Sequence, residues 1–308
     1  MRKSLFTSTQ VRVIISSNEN YMQWLRRLYD MSYKIVVDSC CDLPDQYRND
    51  PRFEIVPLSL EVGDYHVMDD EDFNQAEFLA QVATCPQCPK SACPSPEKYM
   101  EAYQTDAENI FVVTLSSHLS GSYNSAVVGK NMYHEKYGDK NIYVHDSESA
   151  ASGEVQYALR MMELQEQGLS FEETVKELEA FREKLKTYFI LDNLETLRKN
   201  GRMTGVKAMV VSTLNIKPIM CGNHGVIEQK SQAIGMKKAM SKLADIIMKE
   251  VPDVKERILM IAQCNCPDRA DFLKRELLAK TKLKDVVIFD TAGVSSMYAN
   301  DGGIVVTI

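Results

Sequence analysis

Hydroxyl side chains crowd the segment Thr114–Asn124, which reads Thr-Leu-Ser-Ser-His-Leu-Ser-Gly-Ser-Tyr-Asn. It follows an apolar run, Ile110–Leu115, that predicts a buried strand, and it enters a helical pattern over Gly121–Tyr137. A helix start presents unpaired backbone N–H groups and a partial positive charge, to which hydroxyl groups add donors. We therefore predict that this segment binds an anionic group such as a carboxylate or phosphate. Capping of the helix by Ser120 or Ser122 is the alternative, but it accounts for only one serine.

A serine hydrolase is the competing interpretation of the same segment. A nucleophile elbow needs glycine two residues before and two residues after the serine, and around Ser120 these places hold His118 and Ser122. Further on, His145–Ser147 (His-Asp-Ser) contains the three residue types of a catalytic triad. Neighbours on one strand point to opposite faces, so this triplet is not expected to form a relay.

Other polar segments lie at predicted strand or helix ends, namely Asp38–Pro44, Lys90–Pro96 and His145–Ser149. Ligands of open α/β sheets bind beyond the carboxyl ends of the strands, so these segments could converge on one site. We interpret Asp38 and Asp146 as caps or hydrogen-bond anchors rather than as catalysts.

Asn200-Gly201-Arg202 forms a basic turn after a predicted helix. Glycine permits a tight turn, and arginine could bind a carboxylate through two parallel donors. A solvated turn is the equally open alternative.

Cys85-Pro-Gln-Cys88, followed by Cys93, has metal-like spacing. A structural zinc site needs four ligands, so Cys264 and Cys266 would have to complete the set. A thioredoxin-type motif would open a helix after a strand, whereas this one lies in a proline-rich loop. We predict reduced thiols and neither metal nor cofactor.

Composition narrows the function classes. The 308 residues are 44% hydrophobic and 26% charged, with a net charge of −7, which argues against nucleic acid as the main partner. No run approaches eighteen apolar residues, so no integral membrane segment is predicted. The expected compartment is the cytoplasm.

Short apolar runs alternate with helical patterns, which predicts an α/β fold of two domains. We place an N-terminal extension at residues 1–32, an N-terminal α/β domain at 33–168 and a C-terminal α/β domain at 169–308. Met31 is expected to be the true start, or residues 1–30 an appendage. An ordinary helix around Tyr21–Tyr29 is the alternative.

Several local predictions can be checked directly. They are a strand over Phe53–Leu60, a loop over Thr84–Pro96, a helix opened by Ser95-Pro96, a capping box in Ser170–Glu173, and a hairpin of Asn215–Met220 with Val226–Ala233.

Seven motifs, in order from Tyr33 to Ile308, resemble those of DegV-family proteins. They are Lys34–Pro44, Pro57–Leu60, Pro94–Pro96, Leu115–Tyr123, Asp146–Ala150, Leu194–Arg202 and Leu214–Ile219. The resemblance implies a DegV-like α/β fold of two domains, with a Rossmann-like N-terminal domain and an α/β C-terminal domain. It also implies a carrier of the FakB type that binds a long-chain fatty acid and presents it to a fatty acid kinase. The kinase makes an acyl phosphate for phospholipid synthesis, so the carrier itself is not the catalyst.

The resemblance also implies a carboxylate site. The family's binding positions fall on Ser117 and on Ser91, where threonine is usual, and the family's arginine is Arg202. The predicted set is completed by Ser116, Ser120, Gly121 and Tyr298.

The C-terminal motif departs from the family. Where His-Thr-Gly-Pro-Gly is usual, this chain has Tyr298-Ala-Asn-Asp-Gly302, and the residue before Pro94 is Cys93 instead of glutamine. Tyr298 keeps a hydroxyl donor but is not a cation near neutral pH. Asp301 is expected to add a negative charge near the anion. A binding protein for another anionic small molecule is therefore the alternative function.

The acyl chain would need an apolar tunnel between the domains. Candidates for its wall are Met203, Met209, Ile216, Ile219 and Met220, although each could simply fill the core.

Overall fold

The computed structural model describes residues 32–203 and 215–308. The predictions for residues 1–31, including the start at Met31, lie outside these ranges, as does the prediction for Met209. No helix in the described ranges is long and apolar enough to cross a membrane.

Thirteen strands are found in these ranges: β1 (Tyr33–Asp38), β2 (Phe53–Val56), β3 (Ser59–Val62), β4 (Tyr65–Met68), β5 (Lys90–Ala92), β6 (Asn109–Thr114), β7 (Asn141–Asp146), β8 (Thr187–Ile190), β9 (Ile216–Asn223), β10 (Val226–Ile234), β11 (Ile258–Gln263), β12 (Asp285–Asp290) and β13 (Ile304–Thr307). The helices there are α1 (Asp45–Arg48), α2 (Gln75–Thr84), α3 (Pro96–Ala102), α4 (Ser122–Tyr137), α5 (Ser152–Glu166), α6 (Phe171–Arg182), α7 (Glu195–Lys199), α8 (Met236–Glu250), α9 (Pro267–Leu278) and α10 (Gly293–Ala299), with a 3-10 turn at Val254–Glu256.

The first sheet has four parallel strands in the order β2-β1-β6-β7. Its strands read as β-rich apolar runs because helices cover both faces, α3 and α4 on one and α5 and α6 on the other. The carboxyl ends of its strands therefore lie together at one edge, as the sequence predicts for a doubly wound sheet.

The second sheet has six strands in the order β10-β9-β8-β13-β11-β12, with α8 and α9 packed against it. Only β11 and β12 pair in parallel; the other neighbours are antiparallel. The predicted hairpin is confirmed as β9 and β10, and the predicted α/β class holds for this half of the chain as well.

A small third sheet, β4-β3-β5, corrects two predictions. The strand predicted over Phe53–Leu60 is interrupted at Pro57, which has no N–H to donate, and its two parts join different sheets. The loop predicted over Thr84–Pro96 contains β5, in which Ser91 pairs with Leu60. The helix opened by Ser95-Pro96 is confirmed as α3.

Helix α5 lies between the two larger sheets and is buried along its first two turns. Gly168, two residues after the last residue of this helix, has a positive φ of 81°. The N–H of Leu169 donates to the Leu164 carbonyl and that of Gly168 to Gln165, which is a Schellman motif. The capping box of Ser170 and Glu173 is confirmed at the start of α6. Since α6 packs back on the first sheet, Phe171 against Phe111, the boundary at residue 168 stays a prediction.

Helices α3 and α4 approach closely at Gly129. A Cβ atom there would lie 2.6 Å from the Pro96 carbonyl oxygen and 2.8 Å from the Tyr99 Cβ atom. Backbone cannot yield as a flexible side chain does, so this helix pair depends on a residue without a side chain.

We expect Gly129→Ala to lower the free energy of unfolding by about 1–3 kcal/mol, because overpacking outweighs the gain of about 1 kcal/mol in helix propensity. Denaturant unfolding measures the difference. Val128→Ala, at an exposed neighbouring position, should change stability by about 0.5 kcal/mol or less. A Gly129→Ala protein as stable as wild type would contradict this account of the helix contact.

Candidate functional site

The buried carboxylate of Asp38 holds the edge where the strands of the first sheet end. One oxygen accepts the N–H of Cys40 at 3.1 Å. The other accepts the N–H of Leu115 at 3.0 Å and the hydroxyl of Ser122 at 2.6 Å. Asp38 thus joins β1 to the turn after β6 and to the first residue of α4, which confirms its interpretation as a hydrogen-bond anchor.

The serines of the turn have separate roles. The Ser116 hydroxyl donates to the Gly225 carbonyl at 2.8 Å, so it ties the turn to the β9–β10 hairpin. The Ser117 N–H donates to Asp146 at 3.1 Å. The Ser120 hydroxyl accepts the N–H of Ser122 at 3.2 Å. Asp146 is an anchor as well, because it also accepts the N–H of Glu148.

A cavity of about 310 Å³ lies beside this turn, between the two larger sheets. That volume is at the lower end of the range of about 300–1,000 Å³ for small-molecule sites. Most of its wall is apolar and comes from β3 and its approach, the serine turn, α7, α10 and the second sheet: Leu58, Leu115, Leu119, Phe189, Leu191, Leu197, Ile227, Val294, Ala299 and Val305.

Several of the predicted site residues meet on one side of the cavity, which we call its polar side. Five of the seven predicted site residues line it: Ser91, Ser120, Gly121, Arg202 and Tyr298. The hydroxyls of Ser91 and Tyr298 are 3.4 Å apart, although 207 residues separate them in sequence. The Arg202 Nε donates to the Leu119 carbonyl at 3.1 Å. The structure therefore brings β5, the serine turn, the end of α7 and α10 to one polar surface.

Ser116 and Ser117 are not among the residues that line the cavity. Ser116 is fully buried and its hydroxyl is engaged by the hairpin, whereas Ser117 is half-buried beside Asp146. Their role as carboxylate ligands stays a prediction.

The predicted methionine tunnel is a second departure. Met203, Ile216, Ile219 and Met220 do not line the cavity. Ile219 and Met220 are fully buried in the packing of the second sheet instead. Leucine, valine and phenylalanine side chains form the wall, and periodicity alone does not distinguish such residues from the core.

The negative charge expected from Asp301 is also absent from the cavity wall. Asp301 accepts a hydrogen bond from the Asn265 side chain at 3.0 Å, in a turn beyond β11. Asp301 therefore does not belong to the wall that Tyr298 lines.

Helix α10 carries Tyr298, and sequence analysis did not find it. Two buried carboxylates from the N-terminal half hold its start: Asp42 accepts the N–H of Ala292 at 2.8 Å, and Asp69 accepts those of Gly293 and Val294. A Cβ atom at Gly293 would lie 2.6 Å from Asp69, so the approach requires glycine. Burial raises the pKa of Asp69 to about 6.

Glu154 lies under the same region, fully buried on α5. Neither of its carboxyl oxygens has a hydrogen-bond partner among the described residues. Burial, followed by the negative charge of Asp38, raises its pKa well above the usual value. Since three donors face Asp38, whereas burial and the negative charge of Asp38 both disfavour a charge on Glu154, we assign the negative charge to Asp38 and the proton to Glu154.

The segment His145–Ser147 does not form a relay, as expected. His145 is buried, with Nδ1 2.9 Å from the Tyr143 hydroxyl, and Asp146 faces the serine turn. Burial and the nearby Arg182 lower the pKa of His145 to about 3, so the ring is neutral at physiological pH.

The cysteines with metal-like spacing are dispersed among different neighbours. Cys88 contacts Asn200, and Cys93 lies against Gly121 and Ser125. In the described ranges, no three His, Cys, Asp or Glu residues are arranged to hold a metal ion.

Comparison with known proteins gives a consistent result. Residues 32–308 match the family model described as "Uncharacterised protein, DegV family". A DegV domain-containing protein of Streptococcus pneumoniae is 37% identical over 279 residues, which cover 89% of this chain and 98% of the relative.

Two solved structures show the same fold. A DegV-family protein from Ruminococcus gnavus, crystallised with vaccenic acid, is 48% identical with a TM-score of 0.88, covering 91% of this chain and 100% of that one. The fatty acid kinase (Fak) B3 protein of Streptococcus pneumoniae, loaded with linoleic acid, is 33% identical with a TM-score of 0.82, covering 90% and 99%.

We expect Asp38→Ala to lower the free energy of unfolding by about 3 kcal/mol or more, since each of three buried donors would lose its acceptor at about 1–3 kcal/mol. Denaturant unfolding tests this, with Asp139→Ala, an exposed acid, as control within about 0.5 kcal/mol of wild type. Equal stability of the two variants would contradict the anchoring role.

We expect Glu154→Gln to become more stable relative to wild type as pH rises above 4.5, the pKa of this glutamate in the unfolded chain. A side chain whose pKa is raised by folding stabilises the folded protein fully below its unfolded-state pKa. This stabilisation is lost as pH rises through its folded-state pKa. The free energy of unfolding of the wild type should therefore fall with rising pH by up to about 1.4 kcal/mol per pH unit, and the glutamine variant should lack this fall. Denaturant unfolding of both proteins at several pH values measures the difference, and a constant difference would contradict the assignment of the proton.

Proposed function

The chain belongs to the DegV family, and from that premise we propose that it binds a long-chain fatty acid in the cavity between its two larger sheets. The observation that carries the proposal is the distribution of polarity in this cavity. Apolar side chains from both halves of the chain form most of the wall, while the Arg202 guanidinium and the hydroxyls of Ser91 and Tyr298 lie together on one side. An amphiphile with one anionic end matches that distribution.

The acid's carboxylate would bind on the polar side. Arg202 is the one cationic side chain among the described residues that line the cavity. Ser91, Tyr298 and the Ser120 hydroxyl add uncharged donors, and the Gly121 backbone lies at the start of α4. Hydrogen bonds from a cation to a carboxylate are the strongest of these contacts. Tyr298 replaces the usual histidine as a neutral donor at this place.

Supply of the bound acid to a kinase follows from the same geometry. Ser91, Arg202 and Tyr298 are half-buried, whereas Leu58 and Val294 in the apolar wall are fully buried. A partner enzyme could therefore reach the carboxylate while the acyl chain stays covered. The likeness to the fatty acid kinase B3 protein supports this role. We propose a non-catalytic carrier that acts in the cytoplasm, where kinases find ATP.

Mass spectrometry of the purified protein tests the ligand class. The expected result is a stoichiometric mass difference that lipid extraction removes and that matches a fatty acid. A protein that is empty and takes up no added fatty acid would overturn the proposal. A thermal shift from some other anionic metabolite would then favour the alternative suggested by Tyr298.

Arg202→Gln and Tyr298→Phe should each weaken fatty-acid binding, Arg202→Gln by about 1.5–3 kcal/mol, because a carboxylate loses a charged donor. Binding of the matching methyl ester should barely change, since the ester carries no negative charge. Isothermal titration measures both ligands.

Arg198→Gln is the matched control, since Arg198 lies on α7 with its side chain 63% exposed and paired with Glu195. Equal losses for acid and ester in Arg202→Gln would show that this residue shapes the cavity and does not bind the carboxylate.

A further inference from the structure

A second, smaller pocket of about 160 Å³ adjoins the cavity on a side formed by the β9–β10 hairpin and the end of α6. The two spaces share four wall residues: Glu148, Ser149, Thr187 and Gly222. None of these belongs to the polar side where Ser91, Arg202 and Tyr298 meet. With the carboxylate beside Arg202, the shared wall is left for another part of the bound acid.

Gly222 is the one shared wall residue without a side chain. This residue continues the antiparallel register of β8 and β9, in which Tyr188 faces Cys221, so Gly222 stands beside Thr187. A Cβ atom at Gly222 would lie 3.6 Å from the Thr187 Cβ atom and 3.8 Å from the Glu148 carbonyl oxygen, both ordinary contacts. Its φ is not positive, so the backbone does not require glycine here. The absent side chain leaves space between the cavity and the smaller pocket.

The smaller pocket is polar, unlike the cavity it adjoins. The hydroxyls of Ser149 and Thr187 are 2.7 Å apart on the shared wall. Arg182 and Lys186 face the pocket together with Glu148 and Glu183, so its charges balance. A neutral group that both donates and accepts suits this lining better than a second carboxylate, which would meet Glu148 at the wall.

We propose that the smaller pocket is a subsite for the far end of the acyl chain, and that it takes a terminus carrying a hydroxyl group, as in an ω-hydroxy fatty acid. This inference rests on the proposed fatty-acid function. The carboxylate stays on the polar side of the cavity, the chain crosses the apolar part, and the terminal hydroxyl meets the hydroxyls of Ser149 and Thr187 at the shared wall beside Gly222.

The energetic difference is large enough to measure. A hydroxyl buried in an apolar cavity without a partner weakens binding roughly 5- to 140-fold, the equivalent of about 1–3 kcal/mol at 1.4 kcal/mol per tenfold. A hydroxyl that finds partners avoids most of that loss.

The test uses the full chain, stripped of bound lipid, and saturated fatty acids of increasing length with their ω-hydroxy counterparts. Isothermal titration gives, for each length, the ratio of the Kd of the ω-hydroxy acid to that of the parent acid. We expect a high ratio for short chains, whose termini stay in the apolar part. At the length that reaches Gly222, the ratio should fall to about threefold or less.

Gly222→Val should fill the gap and restore the high ratio at that same length. Cys221→Val is the matched control, because its side chain lies on the other face of β9, against the C-terminal core. It should behave as wild type. Thr187→Val, which removes one hydroxyl from the wall, should also raise the ratio and serves if Gly222→Val does not fold.

The possible failures are distinguishable. The subsite alone would be overturned if the parent acids bind but the ratio of the two Kd values does not depend on chain length. It would also be overturned if Gly222→Val leaves that ratio unchanged. Binding of neither the parent nor the ω-hydroxy acids would overturn the proposed function and the subsite together.

Discussion

The polar side of the cavity depends on one buried carboxylate. Asp38 accepts hydrogen bonds from Cys40, Leu115 and Ser122, so the end of β1, the end of β6 and the start of α4 share a single acceptor. Burial raises the pKa of Asp38, and the hydrogen bonds from Ser122 and Leu115 oppose that rise. Because the protein itself supplies this anion, the donors that remain for a ligand come from the following residues, Ser120 and Gly121. That competition supports the proposed position of the ligand site along the turn.

Buried carboxylates also position α10, the helix that carries Tyr298 to the polar side. Asp42 and Asp69 come from the N-terminal half, yet they accept the first N–H groups of α10, whose residues Val294 and Tyr298 face the cavity. A seven-residue helix has little stability of its own, since helix formation needs a costly first turn. Buried acceptors from another part of the chain therefore hold it in place, and they couple the two halves across the site.

Local patterns predicted much of this architecture. The apolar runs of β1 and β6, the Ser170–Glu173 capping box and the β9–β10 hairpin are determined by neighbouring residues, and they were found from the sequence. The resemblance and the hydroxyl-rich turn also led to five residues of the cavity wall. Strands as short as β5 and a helix such as α10 depend on partners far along the chain, as Ser91 and Tyr298 illustrate. No local signal gives such pairings, although the glycine at 222 and the acid at 148 stood in segments that sequence analysis had already marked.

Charge favours one of the two orientations that the proposed fatty acid could take in the cavity. Arg202, on the polar side, is the cation among the described lining residues, while Glu148, on the hairpin side, is the acid among them. Glu148 is itself engaged by His224 and lies near Arg182, and Arg202 contacts Leu119 of the serine turn. A carboxylate at the hairpin side would approach a like charge in a space with little water, where repulsion is stronger than in bulk solvent. At the polar side it meets a guanidinium and three uncharged donors. For the proposed ligand, this charge distribution favours a carboxylate that points toward the half-exposed residues, where a partner enzyme could reach it.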